Sequence, residues 1–116
     1  MDEIVHLETE QRGEVVVARL KGELDVSGAP DMGDRLGEAV PTSALGLVMD
    51  FTELEFIDSS GIAMLFGLVR RLGSRRQELR VVARAGEPVA RVLELVEFER
   101  AAAIHQDVDA AIADIS

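Results

Sequence analysis

Apolar and polar positions run along the chain in blocks whose period shifts between two and about 3.6, and each shift marks an element boundary. EVVVARLKG, residues 14–22, is β-branched, with Val15, Val17 and Leu20 at apolar positions, and predicts a strand. A short polar strand is expected before it, over residues 3–10. GELDVSGAP then breaks the pattern with two glycines and a proline. Pro30 suits the first helical position, where its missing N–H is not needed. Met32, Leu36 and Val40, four apart, give that helix one apolar face. ALGLVMDF, residues 44–51, reads as a fully buried strand, with TELEFID after it as a loop. From Gly61 the spacing is helical. Ile62, Leu65, Val69 and Leu72 form one stripe, Phe66 widens it, and Met64 and Leu68 lie on an adjacent face, with Gly73 as the stop. A strand over 78–85, a helix over 87–98 with Pro88 at its front, a short strand over 101–105 and a helix over 107–115 capped by Asp107 complete the series. The order β-β-α-β-α-β-α-β-α predicts an α/β fold. Its sheet is mixed and mainly parallel, of four to five strands, with about four helices packed on it through right-handed crossovers.

A length of 116 residues predicts one domain over residues 1–116. Arg70 and Arg71 close the longest apolar run short of the roughly 18 residues a membrane span needs, so no membrane insertion is expected. The acidic start, Met1-Asp2-Glu3, argues against a secretory signal, and a cytoplasmic location is expected. No cysteine is present to form a disulfide or a thiolate nucleophile. The net charge of −10 resides in residues 1–58, which hold 14 acids and 4 bases; the remainder balances at 8 of each. Such an acidic chain disfavours nonspecific binding to nucleic acid or anionic lipid. Arg70, Arg71, Arg75, Arg76, Arg80 and Arg84 concentrate half of the bases. They read either as a docking surface for an acidic partner or as a solvated helix end and strand flank, where arginine complements the helix dipole. No aromatic residue interleaves them, so base stacking has no support.

The chemistry to explain sits at Asp58-Ser59-Ser60-Gly61, where hydroxyls and an acid head an otherwise apolar helix. The first N–H groups of a helix lack internal partners, and Asp58 or Ser59 can accept from them as an N-cap worth about 1 kcal/mol. One cap does not need two serines. Ser60 falls in the first helical turn, with its hydroxyl near the surface. A phosphate there adds about −1.5 to −2 charges where a helix tolerates negative charge best. Modification could therefore change what the surface binds without unfolding the protein. No catalytic set is visible: Asp25, Asp50 and Asp58 come with no general base or nucleophile array. His6 and His105 have no ligand-spaced companions, so no metal is expected. GELD lacks a phosphate-cradling glycine pattern, and no cofactor is expected.

At these residues the sequence resembles an STAS domain, specifically the bacterial anti-anti-sigma factors (anti-sigma factor antagonists). GELDVSGAPDMGDRL is similar to the family's segment between second strand and first helix, LVMDFTELEFIDSSGIAML to its strand, loop and Asp-Ser-Ser-Gly helix start, and RVLELVEFERAAAIHQDVDAAI to its last helix–strand–helix. The resemblance implies that Ser60 is phosphorylated by an anti-sigma factor serine kinase, which supplies ATP and magnesium. The unphosphorylated protein would bind that kinase and free a sigma factor. A metal-dependent serine phosphatase acting on the phosphorylated form would reset it. Asp25 and Asp58 would belong to the partner-binding surface around Ser60, with Ser59 and Gly61 beside it, and the chain would be a substrate and not an enzyme. Met64 and Leu68, four apart, read either as an exposed partner-binding ridge beside Ser60 or as core. Two positions depart from the family pattern. Glu97 stands where glycine is common near the end of the third helix; a left-handed backbone there costs a non-glycine roughly 1–2 kcal/mol. Gly28 stands where threonine is common before Ala-Pro, so capping of the first helix is expected to fall to Ser27. Two other readings stay open. One is an STAS subunit of a stress-signalling or lipid-transport assembly that works without phosphorylation. The other is a nucleotide-binding or weakly hydrolysing enzyme, which undetectable nucleotide binding by calorimetry would remove.

Overall fold

The computed structural model describes residues 5–115. Strands β1 (Val5–Arg12), β2 (Val15–Leu24), β3 (Gly46–Ile57), β4 (Glu78–Val82) and β5 (Ile104–His105) form one sheet in that order. Only the β1–β2 hairpin is antiparallel; β2, β3, β4 and β5 run parallel. Helices α1 (Ala29–Ala39), α2 (Ser59–Ser74) and α3 (Pro88–Leu95) each connect two neighbouring parallel strands. Right-handed crossovers between strands taken in sequence put all three helices on one face of the sheet.

Side-chain alternation along the strands divides the core accordingly. Leu47, Met49 and Phe51 of β3 face the α1–α3 side, where they pack with Met32, Leu36, Leu65, Leu72 and Leu93. Val48 faces the other side with Val15, Val17 and Val82, where α4 (Val108–Ile115) covers them through Ala111. The sheet is thus covered on both faces, which explains the near-continuous apolar run Val15–Ala18. Asp107 caps α4 as the sequence predicts, accepting from the Ala110 N–H at 2.8 Å. Arg80 on β4 donates to Asp114 Oδ2 at 2.6 Å, and a His105 ring nitrogen lies 3.0 Å from the same oxygen. The hydrogen bond from Arg80, then that from His105, holds the Asp114 carboxyl below the usual carboxylate range.

The largest departure from the sequence pattern is residues 52–57. They continue β3 and do not form the expected loop. Residues 53–57 pair with Lys21–Leu24 of β2, through register shifts after Arg19 and Gly22. Leu54 and Ile57 are buried while Glu53, Glu55 and Phe56 point outward. Other boundaries also move. α2 starts at Ser59 rather than Gly61 and runs to Ser74, past Gly73, and the left-handed residue beyond it is Arg76. β4 stops at Val82 and β5 is shorter than expected.

α3 ends at Leu95, three residues early. Glu97 adopts φ 55°, ψ 42°, and turns the chain so that Phe98, in a 3₁₀ turn, is fully buried with its ring 5.3 Å from that of Phe66. A left-handed residue other than glycine costs about 1–2 kcal/mol, offset in part by the larger entropy glycine loses on folding. Glu97→Gly should therefore gain about 0.5–1 kcal/mol, read as a higher urea midpoint at unchanged slope. A midpoint at or below wild type would show that the turn carries no such strain.

Candidate functional site

The parallel strands β2 and β3 end in register, Leu24 beside Ile57, so the loops that follow leave the same end of the sheet. The Asp58 N–H donates to the Leu24 carbonyl at 3.2 Å and ties those two exits together. In the first loop the half-buried Asp25 accepts from the Ser27 N–H at 3.0 Å and the Ser27 hydroxyl at 2.6 Å. Its backbone carbonyl takes the Gly28 and Ala29 N–H groups. Ser27 therefore does not cap α1. Gly28 holds the N-cap position with no side chain, because the Asp25 carbonyl already satisfies the leading amides.

In the second loop Asp58 is the cap of α2. It is extended, and its Oδ1 accepts from the Ser60 N–H at 2.9 Å and the Gly61 N–H at 3.1 Å. That leaves both serines free of capping duty. Ser59 is exposed and Ser60 is half-buried. Gly61, expected on the partner surface, is instead buried. A Cβ there would lie 2.6 Å from Ile57 Cγ1 and 2.9 Å from the Leu24 carbonyl oxygen. Its role is to let α2 start hard against the strand ends, which fixes where Ser60 sits.

Ser60 opens onto a groove of about 490 Å³ between α1 and α2. Pro30, Gly33 and Asp34 line it from α1. From α2 come Ala63, Met64, Gly67, Leu68 and Arg71. Met64 is half-buried and packs on Gly33; Leu68 is buried in the core. Of these residues the sequence pattern singles out Ser60 and Met64 for the site, names Arg71 only as a charge closing the apolar run and within the arginine cluster, and leaves Gly67 unmarked. The available signal is spacing: Ser60, Met64, Gly67 and Arg71 lie at i, i+4, i+7 and i+11, one stripe of a helix.

Asp50 stands apart from this site. It is buried on β3, accepts from Arg19 Nε at 3.1 Å and from the Thr52 N–H at 2.9 Å, and serves the sheet. The bond to Asp50 raises the Arg19 pKa. The arginine cluster is likewise dispersed. Arg75 donates to the Val40 and Gly37 carbonyls and closes the end of α1, Arg80 pairs with Glu78 and Asp114, and Arg71 lies 3.9 Å from Asp34. Among the described residues no three His, Asp or Glu side chains gather as metal ligands. Among them, too, no helix is long and apolar enough to cross a membrane.

The family model for the STAS domain matches residues 6–111. The chain belongs to the STAS domain family. Solved structures with this fold include an anti-sigma factor antagonist from Mycobacterium paratuberculosis, 26% identical, with a TM-score of 0.84 over 96% of this chain and 93% of that one. The phosphorylated form of the Bacillus cell fate determinant SpoIIAA is 24% identical, with a TM-score of 0.67 over 96% of this chain and 100% of that one. SpoIIAA in its unphosphorylated form is 22% identical, with a TM-score of 0.70 over 94% and 96%. At those identities the likeness to SpoIIAA is one of fold. This STAS domain has the five-stranded, mostly parallel sheet and four α-helices of the SpoIIAA-like architecture.

Proposed function

We propose that residues 1–116 form one STAS domain that acts in the cytoplasm as an anti-sigma factor antagonist, with Ser60 as its phosphoacceptor. Unphosphorylated, it binds an anti-sigma factor serine kinase and so frees a sigma factor. Phosphorylated, it lets the kinase go, and a serine phosphatase restores it. The observation that carries this reading is the seat of Ser60. Its hydroxyl stands in the first turn of α2, outside the core and on the rim of a groove, while Asp58 caps the helix. Asp25 and Asp58 shape the two loops beside it, and Ser59 and Met64 flank it on α2. The similarity to an anti-sigma factor antagonist at 26% identity supports the same reading.

The chemistry asks little of this chain. Ser60 Oγ attacks the γ-phosphorus of ATP held by the kinase. A new O–P bond forms, the bond to the ADP oxygen breaks, and the hydroxyl proton passes to a base of the kinase. The kinase also supplies magnesium. This chain contributes a positioned nucleophile and is a substrate, not an enzyme.

Incubation with the cognate anti-sigma factor kinase, ATP and Mg²⁺, followed by intact mass, tests the assignment. Wild type should gain one phosphate; Ser60→Ala should gain none yet still bind the kinase. Equal incorporation in Ser60→Ala removes the assignment of Ser60. An unmodified wild type that still binds its partner points to an STAS subunit that works without phosphorylation.

A further inference from the structure

We infer that the α1–α2 groove is the slot in which the anti-sigma factor kinase seats an apolar side chain, with a neighbouring lysine or arginine of the kinase on Asp34, and that Gly67 keeps this slot open. The inference rests on the kinase-substrate reading above.

Gly67 is the starting point. It lies in the middle of the 16-residue α2, where glycine weakens a helix relative to alanine. Nothing inside the molecule requires it. Its φ is not positive, and an added Cβ would meet only Arg70 Nη2, at an ordinary 3.9 Å. The glycines opposite are different. A Cβ at Gly33 would lie 3.0 Å from Met64 Cγ, and one at Gly37 would collide with the Arg71 guanidinium. Each of those two thus lies under an α2 side chain, Met64 over Gly33 and Arg71 over Gly37. At Gly67 the missing side chain leaves volume in a groove whose apolar lining is Pro30, Ala63, Met64 and Leu68, with the charged Asp34 and Arg71 lining it as well. A local rule broken with no compensation inside the fold points to a partner.

Position and charge name the partner. Gly67 is seven residues, two turns, from Ser60 on the same stripe, about 10 Å along the helix axis. A kinase delivering a γ-phosphate to Ser60 must cover the mouth of this groove. Apolar anchors spaced along such a groove are a common mode of recognition. On its α1 rim stands Asp34, with its side chain 81% exposed. Among the described residues its ion partner is Arg71, at 3.9 Å, and the Arg71 guanidinium is already laid across Gly37. The Asp34 carboxylate is mostly exposed and its ion pair with Arg71 is long, so an incoming cation can share it, on a chain of net charge −10.

The test uses the full chain and the cognate kinase with ADP and Mg²⁺. Gly67→Leu fills the slot with a good helix former, so its Tm should equal or exceed wild type while kinase binding falls about tenfold or more. The KM for this protein as kinase substrate should rise with kcat little changed. Asp34→Lys, at an exposed position, carries the test independently of helix packing and should also weaken binding and flatten its salt dependence. Wild-type affinity in both variants, with wild type itself bound and phosphorylated on Ser60, overturns the slot and leaves the proposed function standing. A wild type that neither binds nor accepts phosphate overturns both.

Discussion

Gly61→Val is expected to lower folding stability by about 3 kcal/mol and the melting temperature by about 10 °C. The reason is contact geometry. The first substituent atom would already sit 2.6 Å from Ile57 Cγ1 and 2.9 Å from the Leu24 carbonyl oxygen. The carbonyl belongs to β2 and cannot rotate away, because it accepts the Asp58 N–H that ties the two strand exits together. α2 must therefore move outward as a body, which loosens Leu65 and Leu72, both fully buried against the sheet. The small gain in helix propensity on replacing glycine is outweighed. Gly61→Ala and Gly67→Ala make the control pair: same helix and same change, but at Gly67 the new methyl meets only Arg70 Nη2 at 3.9 Å, so its melting temperature should be at or above wild type while that of Gly61→Ala falls. Matching melts for Gly61→Val and wild type would mean that the start of α2 is not pinned by this contact. In the proposed function the variant should also be a poor kinase substrate, since Ser60 is carried outward with the helix.

How far the sequence discloses this site depends on which residues carry it. The cap and the core stripe of α2 are local: Asp58 precedes the helix, and Ile62, Leu65 and Leu72 repeat at helical spacing, so both can be read directly. The distal half of β3 is hidden for a physical reason. β4 pairs only with Gly46–Asp50, so beyond that point β3 has one neighbour and exposes Glu53, Glu55 and Phe56. A strand half in water loses the continuous apolar run that betrays a buried one. Glu97 is legible only through the resemblance: its place in the family pattern marks a left-handed position, which the structure has, whereas helix propensity alone runs α3 on to Phe98, the residue that instead enters the core. The groove is the least legible feature. Its two walls come from residues 30–34 and 60–71, and tertiary packing brings them together: Met64 on Gly33, Arg71 on Gly37, and the shared core of Met32, Leu36, Leu65 and Leu72. That Gly67 is unneeded for packing emerges only once the space around it is known.

In the proposed switch, Ser60→Asp should fold as well as wild type and bind the kinase on the order of tenfold more weakly, or less tightly still. Both halves follow from where the side chain sits. An acid in the first turn of a helix is favoured by about 0.3–1 kcal/mol, so the α2 terminus accepts the charge. In the complex the same charge meets the nucleotide phosphates that the kinase must hold close to Ser60. A phosphate facing one negative charge about 8 Å away costs about 1 kcal/mol at the dielectric of water and about 4 kcal/mol at an effective dielectric near 20. An aspartate, with about half that charge, costs about half as much, and desolvation against the apolar groove adds to it. Ser60→Ala introduces no charge and should bind like wild type, which separates the electrostatic effect from loss of the hydroxyl. Thermal melts and titration calorimetry against the kinase with ADP and Mg²⁺ read the two halves separately. Equal affinity for the alanine and aspartate variants would mean that release after phosphoryl transfer is not driven by charge at the head of α2, and the switch would then need a moving part that this rigidly capped helix does not supply.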